Sequence, residues 1–349
     1  MNSAALLRFF DVRRQRGESL VLVTVYETRG STYSKSGNQM LIAGDGRFQG
    51  MLSGGCLEGD LVLRAAAVID SGVPQVVTYD LAQDDELWGL GVGCDGLMRV
   101  FLQPLCEDNA FQPFADIAEM MQGSMQGWLA VVIDSDAGAA RPGATALSMQ
   151  NEVRAFGMST SAAQHLFQQQ AAGRSGLLSA DLDGATASVL FTLVKPPPRL
   201  LVLGAGMDAE PVVRLAAEMG WRCSVVDHRD AYVERGDFAG AEEVLCRPAD
   251  SLSEELDLPR FDAAIVMSHH LASDRSYLRQ LAATDIAYIG LLGPASRRSR
   301  LLADLGDNAA DLRERLHGPA GLDIGGRGPA AIALSIIAEV QGVLVGETG

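Results

Sequence analysis

The sequence predicts an α/β protein of two domains, a mixed α+β N-terminal domain followed by a Rossmann-like, doubly wound parallel sheet. Three observations predict this. Lys195 is followed by Pro196, Pro197 and Pro198, and three prolines in a row enter neither a helix nor a central strand, so they form a stiff connector. After them, short apolar strands alternate with helical stretches, the pattern of a parallel sheet covered on both faces. Before them, strands, hairpins and helices are mixed without that alternation. The boundaries are therefore 1–194 for the first domain, 195–198 for the linker and 199–349 for the second. A length of 349 residues fits two cores better than one.

In chain order, Met1 to Arg16 mixes Leu6, Leu7 and Phe10 with Arg8, Asp11 and Arg13, which predicts a short amphipathic helix and not a secretory leader. Leu20 to Thr28 is a strand. Met40–Ala43 and Arg47–Leu52 form a hairpin around Gly44-Asp45-Gly46. Leu57 to Asp70 is a helix stopped by Gly72 and Pro74, and Gln75–Tyr79 and Leu97–Leu102 are strands. Trp128 to Phe156 echoes the order of Leu22 to Gly50, placing Gly143 where Gly37 stands and Asn151-Glu152 where Asp45-Gly46 stand. The echo predicts two similar β units in one domain, with any chemistry in the first, because the second has neither cysteine nor Gly-rich loops. Past the linker, Arg199–Leu203, Cys223–Val226, Ala263–Met267 and Ile286–Ile289 are strands.

The charge balance excludes one class of function. With 28 basic against 44 acidic residues the net charge is −16, and the chain repels nucleic acid. An anionic ligand must be held by local groups. No apolar run reaches the roughly 20 residues that span a bilayer, and the cytoplasm is the expected compartment. Five cysteines at wide spacing argue against both a disulfide scaffold and a zinc ribbon.

Four segments carry candidate chemistry. Ser53-Gly54-Gly55-Cys56-Leu57-Glu58 runs from a strand into a helix. The glycines let a ligand approach the backbone, and a helix beginning here would aim free N–H groups and its positive end at the loop, with Cys56 in the first turn. This suits an anion, a soft metal or sulfur transfer; the plainer alternative is a tight turn with a packed cysteine. Trp88 to Gly96 holds four glycines, Gly93 among them, and Cys94, and such a loop is costly to order unless it wraps something. Arg29 to Gly37 offers two cations, Arg29 and Lys35, and four hydroxyls, suited to a phosphate or an oxo group or to an ordinary polar turn. Gly204-Ala205-Gly206-Met207-Asp208-Ala209 is the glycine fingerprint of a dinucleotide fold, with Asp227 at the end of the next strand, where it would suit a ribose hydroxyl. Ser268-His269-His270 ends a strand at the carboxyl edge of the sheet, and Gly290–Gly293 leads into a helix whose Arg297, Arg298 and Arg300 would grip a phosphate or form a solvated face. Cys223 starts a strand and reads as core.

Taken together these motifs resemble the XdhC/CoxI family of molybdenum-enzyme accessory proteins. The resemblance rests on the two cysteine loops, the proline linker, the Gly-Ala-Gly turn, Tyr288-Ile289-Gly290-Leu291-Leu292-Gly293 and Gly321-Leu322-Asp323-Ile324-Gly325-Gly326-Arg327. It runs in order over nearly the whole chain and is weakest between Cys106 and Val194. It implies a protein that binds the molybdenum cofactor (molybdopterin), shelters it during installation of its sulfido ligand, and helps insert it into xanthine dehydrogenase or a related molybdenum hydroxylase. A cysteine desulfurase is the implied second partner, and a homodimer is expected for a chain of this kind. Cys56 and Cys94 are the expected functional pair, as molybdenum contacts or as packing, with Ser53, Gly54, Gly55, Gly93 and Lys35 around them. Gly204, Gly206 and Asp227 would mark a nucleotide site. Met207 stands where the family often has histidine, and Asp208 adds negative charge where a pyrophosphate would lie, which weakens the case for NAD(P). Two alternatives remain open: an NAD(P)-dependent oxidoreductase, and a persulfide sulfur carrier using Cys56 or Cys94.

Overall fold

The computed structural model describes residues 3–81, 96–123, 125–135, 140–150, 152–170, 173–182 and 184–346. The chain divides into two compact units, Met1–Pro196 and Pro197–Gly349.

The first unit contains the same run of elements twice. The first run is α1 (Ser3–Arg14), β1 (Leu20–Arg29), β2 (Gln39–Ala43), β3 (Phe48–Gln49), α2 (Glu58–Ser71), β4 (Gln75–Asp80) and β5 (Leu97–Leu105). The second is α3 (Phe114–Gln122), β6 (Gly127–Ser135), β7 (Thr145–Met149), β8 (Glu152–Phe156), α4 (Thr160–Gln169), β9 (Gly176–Leu182) and β10 (Ala185–Val194). Each run makes one antiparallel five-stranded sheet, ordered β3-β2-β1-β5-β4 and β8-β7-β6-β10-β9.

Side-chain alternation explains the layering. Leu20, Leu22 and Tyr26 of β1 and Leu129, Val131 and Ile133 of β6 meet in one core between the sheets. Val21, Val23 and Val25 face the other way, onto Leu61, Ala65 and Val68 of α2. Ala130 and Val132 of β6 likewise face Ala162, Ala163 and Leu166 of α4. A central strand buried on both faces must be apolar throughout, and β1 begins Leu-Val-Leu-Val. A lone 14-residue helix is marginal in water, so α2 depends on this packing, each buried Leu or Val adding about 1.5–3 kcal/mol. Gly72 ends it in the left-handed region at φ 66°.

The repeat extends to the loops. Gly37 and Gly143 have φ of 91° and 90°. Gly37 N–H donates to the Val25 carbonyl at 2.8 Å, and Gly143 N–H to that of Val132 at 2.8 Å. Each glycine packs on the last strand of the other run, Gly37 on Thr192 and Gly143 on Gln103.

The second unit is a six-stranded parallel sheet ordered β13-β12-β11-β14-β15-β16. The strands are β11 (Arg199–Leu203), β12 (Arg222–Asp227), β13 (Glu243–Cys246), β14 (Ala263–Val266), β15 (Tyr288–Leu291) and β16 (Leu316–His317). Leu200 and Val202 pack on one side with helices α5 (Ala209–Glu218) and α10 (Pro329–Val345), and Leu201 and Leu203 on the other with α8 (Leu271–Leu281) and α9 (Ala295–Leu305). Two short helices, α6 (Asp230–Arg235) and α7 (Leu252–Glu255), complete it. The order reverses between β11 and β14, the switch point at which such sheets bind ligands. Among the described residues no helix is long and apolar enough to cross a membrane.

Candidate functional site

The first run carries longer connections than the second at one end of its sheet. Between β3 and α2 lie residues 50–57, against 157–159 in the second run, and between β4 and β5 lie residues 81–96, against 183–184. The base of the longer loop is closed by the Leu81 N–H bonding the Gly96 carbonyl at 2.9 Å. Gly96 touches the Arg29–Thr32 turn so closely that an added Cβ would lie 2.3 Å from the Ser31 carbonyl oxygen. Gly54 in turn faces the Tyr33 ring. Three connections therefore converge at this sheet end. Cys94 and Gly93, with the rest of residues 82–95, lie outside the described residues.

Glu58 organises the loop ahead of α2. It is buried, one oxygen accepts the amides of Leu52 and Ser53 at 2.9 Å each, and the other accepts the Gly55 amide at 3.0 Å and the Ser53 hydroxyl. Ser53 Oγ also accepts the Leu57 amide at 2.8 Å. Burial pushes the Glu58 carboxyl up, but the hydrogen bonds from Ser53 and Leu52 outweigh it and leave it below the usual carboxylate range. Gly54 and Gly55 have φ of 78° and 112°, a backbone that side chains resist.

Two expectations change here. The helix begins at Glu58, so Cys56 precedes it and does not sit in the first turn, where the acid stands instead. The amides expected to face a ligand are largely taken by Glu58, and those of Gly54 and Cys56 are left unbonded among the described residues. Cys56 is a half-buried free thiol packed against the α2 core. Sequence reasoning misses the role of Glu58, although an acid in the first turn after a glycine pair is its signal.

The Arg29–Gly37 turn also divides differently from its composition. Arg29 pairs with Glu27 at 2.8 Å, and Glu27 bridges to Arg99 at 2.8 Å, so Arg29 is engaged. Lys35 is exposed and forms no ion pair among the described residues. The Ser34 hydroxyl is buried with no hydrogen-bond partner there, a polar group that fits a ligand oxygen. Among the described residues no three His, Cys, Asp or Glu side chains gather as a metal site.

In the second unit Gly204 has φ 127°, and a Cβ would strike the Met267 carbonyl at 2.5 Å, so the strand-to-helix turn demands glycine. A Cβ on Gly206 would meet only His269, at 3.9 Å. Asp227 is fully buried. It accepts the Ala205 amide at 2.7 Å and holds Arg229 through the amide, Nε and Nη2 at 2.7–2.9 Å. Burial raises its pKa, but Arg229 and the Ala205 amide lower it further, so it stays ionised. A ribose hydroxyl at this carboxylate would have to displace Arg229. Asp208 pairs with His269 at 3.1 Å beside the exposed Met207. Arg297 is bound to buried Asp274 at 2.5 Å, and Arg298 donates to the Leu316 carbonyl, so two of the three arginines expected at a phosphate brace the fold. Arg300 is exposed.

Comparison with known proteins bears on this arrangement. Residues 13–80 match the model described as XdhC and CoxI family, and residues 200–340 that described as XdhC Rossmann domain. The chain is 31% identical over 324 residues to a probable xanthine dehydrogenase subunit of Bacillus subtilis, covering 93% of this chain and 92% of the relative. It is 23% identical over 341 residues to the molybdenum cofactor insertion chaperone PaoD of Escherichia coli, covering 97% and 87%. The crystal structure of a xanthine dehydrogenase from Bacillus halodurans superposes with a TM-score of 0.82 at 27% identity, over 99% of this chain and 97% of that one.

Proposed function

The chain belongs to the XdhC and CoxI family, and on that premise we propose that it carries the molybdenum cofactor as cargo and delivers it to a molybdenum hydroxylase of the xanthine dehydrogenase type. The name of the PaoD relative, an insertion chaperone, supports the cargo, and that of the Bacillus subtilis relative supports the target. The observation that carries the reading is the Ser53–Glu58 loop, in which a buried carboxylate bonds the Ser53 and Gly55 amides on either side of Gly54, next to a half-buried thiol at Cys56.

The cargo joins a soft, sulfur-ligated metal to a phosphate-bearing pterin. A cysteine thiolate matches the first. The free cation of Lys35, the Ser34 hydroxyl and the amides of Gly54 and Cys56 match the second. Held by Glu58, the loop presents these groups without ordering on arrival, which lowers the entropic cost of binding. Cys94 is the proposed second thiol. Shelter of the cargo during sulfuration by a cysteine desulfurase is the further step we propose.

The test is co-elution of molybdenum and pterin with purified wild-type protein, Cys56→Ser and Cys94→Ser after loading with fresh cofactor. Retention by wild type and loss in a cysteine variant with an unchanged melting temperature is the expected outcome. No retention by wild type removes the basis of the proposal.

A further inference from the structure

Between the two runs of the N-terminal unit lies a cleft that no role accounts for, walled by residues 72–74 and 103–104 of the first run and 140–145 and 156–157 of the second. Its volume is about 620 Å³, and its walls include Val73, Pro74, Gln103, Arg141, Gly143 and Phe156. That size lies within the roughly 300–1,000 Å³ of small-molecule sites. We propose that this cleft binds a small anion carrying an apolar ring, separately from the Ser53–Glu58 loop, none of whose residues line it.

Charge supplies the first argument. Among the described residues, Arg141 is the only charged one lining the cleft. It is exposed and makes no ion pair among the described residues. In a chain of net charge −16, a cleft whose described walls carry one unpaired guanidinium and no acid selects for negative charge against the field of the whole molecule.

The repeat supplies the second. The Arg141 carbonyl accepts the Ala144 amide at 2.9 Å, as the Lys35 carbonyl accepts that of Asn38 at 3.1 Å. Arg141 therefore stands in the second run where Lys35 stands in the first, each at the start of a turn closed by a left-handed glycine. Neither the 50–57 connection nor the 81–96 connection has a counterpart of its length in the second run, and Gly157 of the short 157–159 connection lines the cleft.

The walls supply the ring preference. Val73, Pro74, Pro104 and Phe156 give an apolar lining, with Val73 62% and Phe156 37% exposed. An aromatic face open to solvent beside a guanidinium suits a ring bearing an anionic group. Gln103 is buried and donates its Nε2 to the Gly143 carbonyl at 2.7 Å, which fixes the turn that carries the cation.

The probe is 8-anilinonaphthalene-1-sulfonate, an aromatic sulfonate whose fluorescence reports binding, against the uncharged N-phenyl-1-naphthylamine. Wild type should bind the sulfonate saturably at one site and the neutral compound at least about tenfold more weakly, since only the sulfonate makes a charge-assisted hydrogen bond to Arg141. Arg141→Gln should remove most of that difference. Val73→Trp, at an exposed wall position, should block both compounds. Arg300→Gln, an exposed arginine of the other unit, should change nothing, and circular dichroism melts identify any variant that has lost its fold. Absence of saturable binding by wild type overturns the proposal. So does equal binding by wild type and Val73→Trp, or indifference of the sulfonate to Arg141→Gln.

Discussion

The two halves of the N-terminal unit share an element order and a sheet order, yet they use the same loop positions differently. In the first half the passage from third strand to helix takes residues 50–57, bends through three positive-φ glycines, Gly50, Gly54 and Gly55, and closes on the buried carboxylate of Glu58. In the second it takes residues 157–159, and an ordinary N-cap suffices, Ser159 Oγ accepting the Ala162 amide at 3.1 Å. The passage between the last two strands takes residues 81–96 in one half and 183–184 in the other. The second run reaches the same sheet order with short connections at both positions. The extra chain and its buried acid are where the proposed site lies, and cysteine follows the same division: residues 107–194 contain none.

Substitutions can break or sharpen this contrast. The largest effect is expected at the loop bases. Gly96→Ala puts a Cβ 2.3 Å from the Ser31 carbonyl and should cost about 3 kcal/mol or more, whereas Gly184→Ala, with φ 85° and open space around it, should cost about 1–2. Urea denaturation of both reads the difference, and equal losses would show the two connections to be equally tolerant.

Next comes Glu58→Gln, which replaces an acceptor of three amides and a hydroxyl with a group whose own N–H₂ faces donors, at about 2–3 kcal/mol. This contribution depends on pH. The folded-state pKa lies below the unfolded value, so the contribution is complete above the ordinary glutamate value of about 4.3 and is lost as pH falls through the folded pKa. The gap between wild type and Glu58→Gln should therefore be constant near neutrality and close on acidification; a gap that widened in acid would contradict the assigned role. The corresponding cap in the second half is worth less, and Ser159→Ala should cost about 1 kcal/mol.

Thiol labelling should separate the cysteines with no change in stability. Burial pushes the Cys223 thiol up to about 12, so iodoacetamide at pH 8 should spare it until denaturant is added, while half-buried Cys56 reacts in the native protein. Peptide mass spectrometry decides, and protection of native Cys56 would mean that the loop covers its sulfur.

Much of this is legible in the chain. The proline run, the strand and helix alternation after it, the Gly204 turn and Gly37 matched to Gly143 are local signals, because turn chemistry and side-chain periodicity act over a few residues. Strands β9 and β10 escape a reading of the sequence, since Ala, Ser and Thr give Ala185–Val194 little contrast and its place is set by pairing with Gly127–Ser135, more than fifty residues earlier. The site is half legible. Cys56 and its glycines stand out by type, but Glu58 looks like any acid at a helix start, and only the folded loop turns three amides onto it. Asp227 reads as a ribose ligand by position, yet the fold gives both its oxygens to Ala205 and Arg229.

The sequence by itself determined the two-unit α/β architecture, the family and the cysteine-bearing glycine loop, since each is written in neighbouring residues. Tertiary structure alone decided which polar groups are already taken, that is Arg29, Asp227, Arg297 and the loop amides, and which remain free, that is Lys35, Arg141 and the Ser34 hydroxyl, among the described residues. The reason is physical: a charge or hydrogen-bonding group acts over a few ångströms, and its partners within that distance come from parts of the chain that only folding brings together.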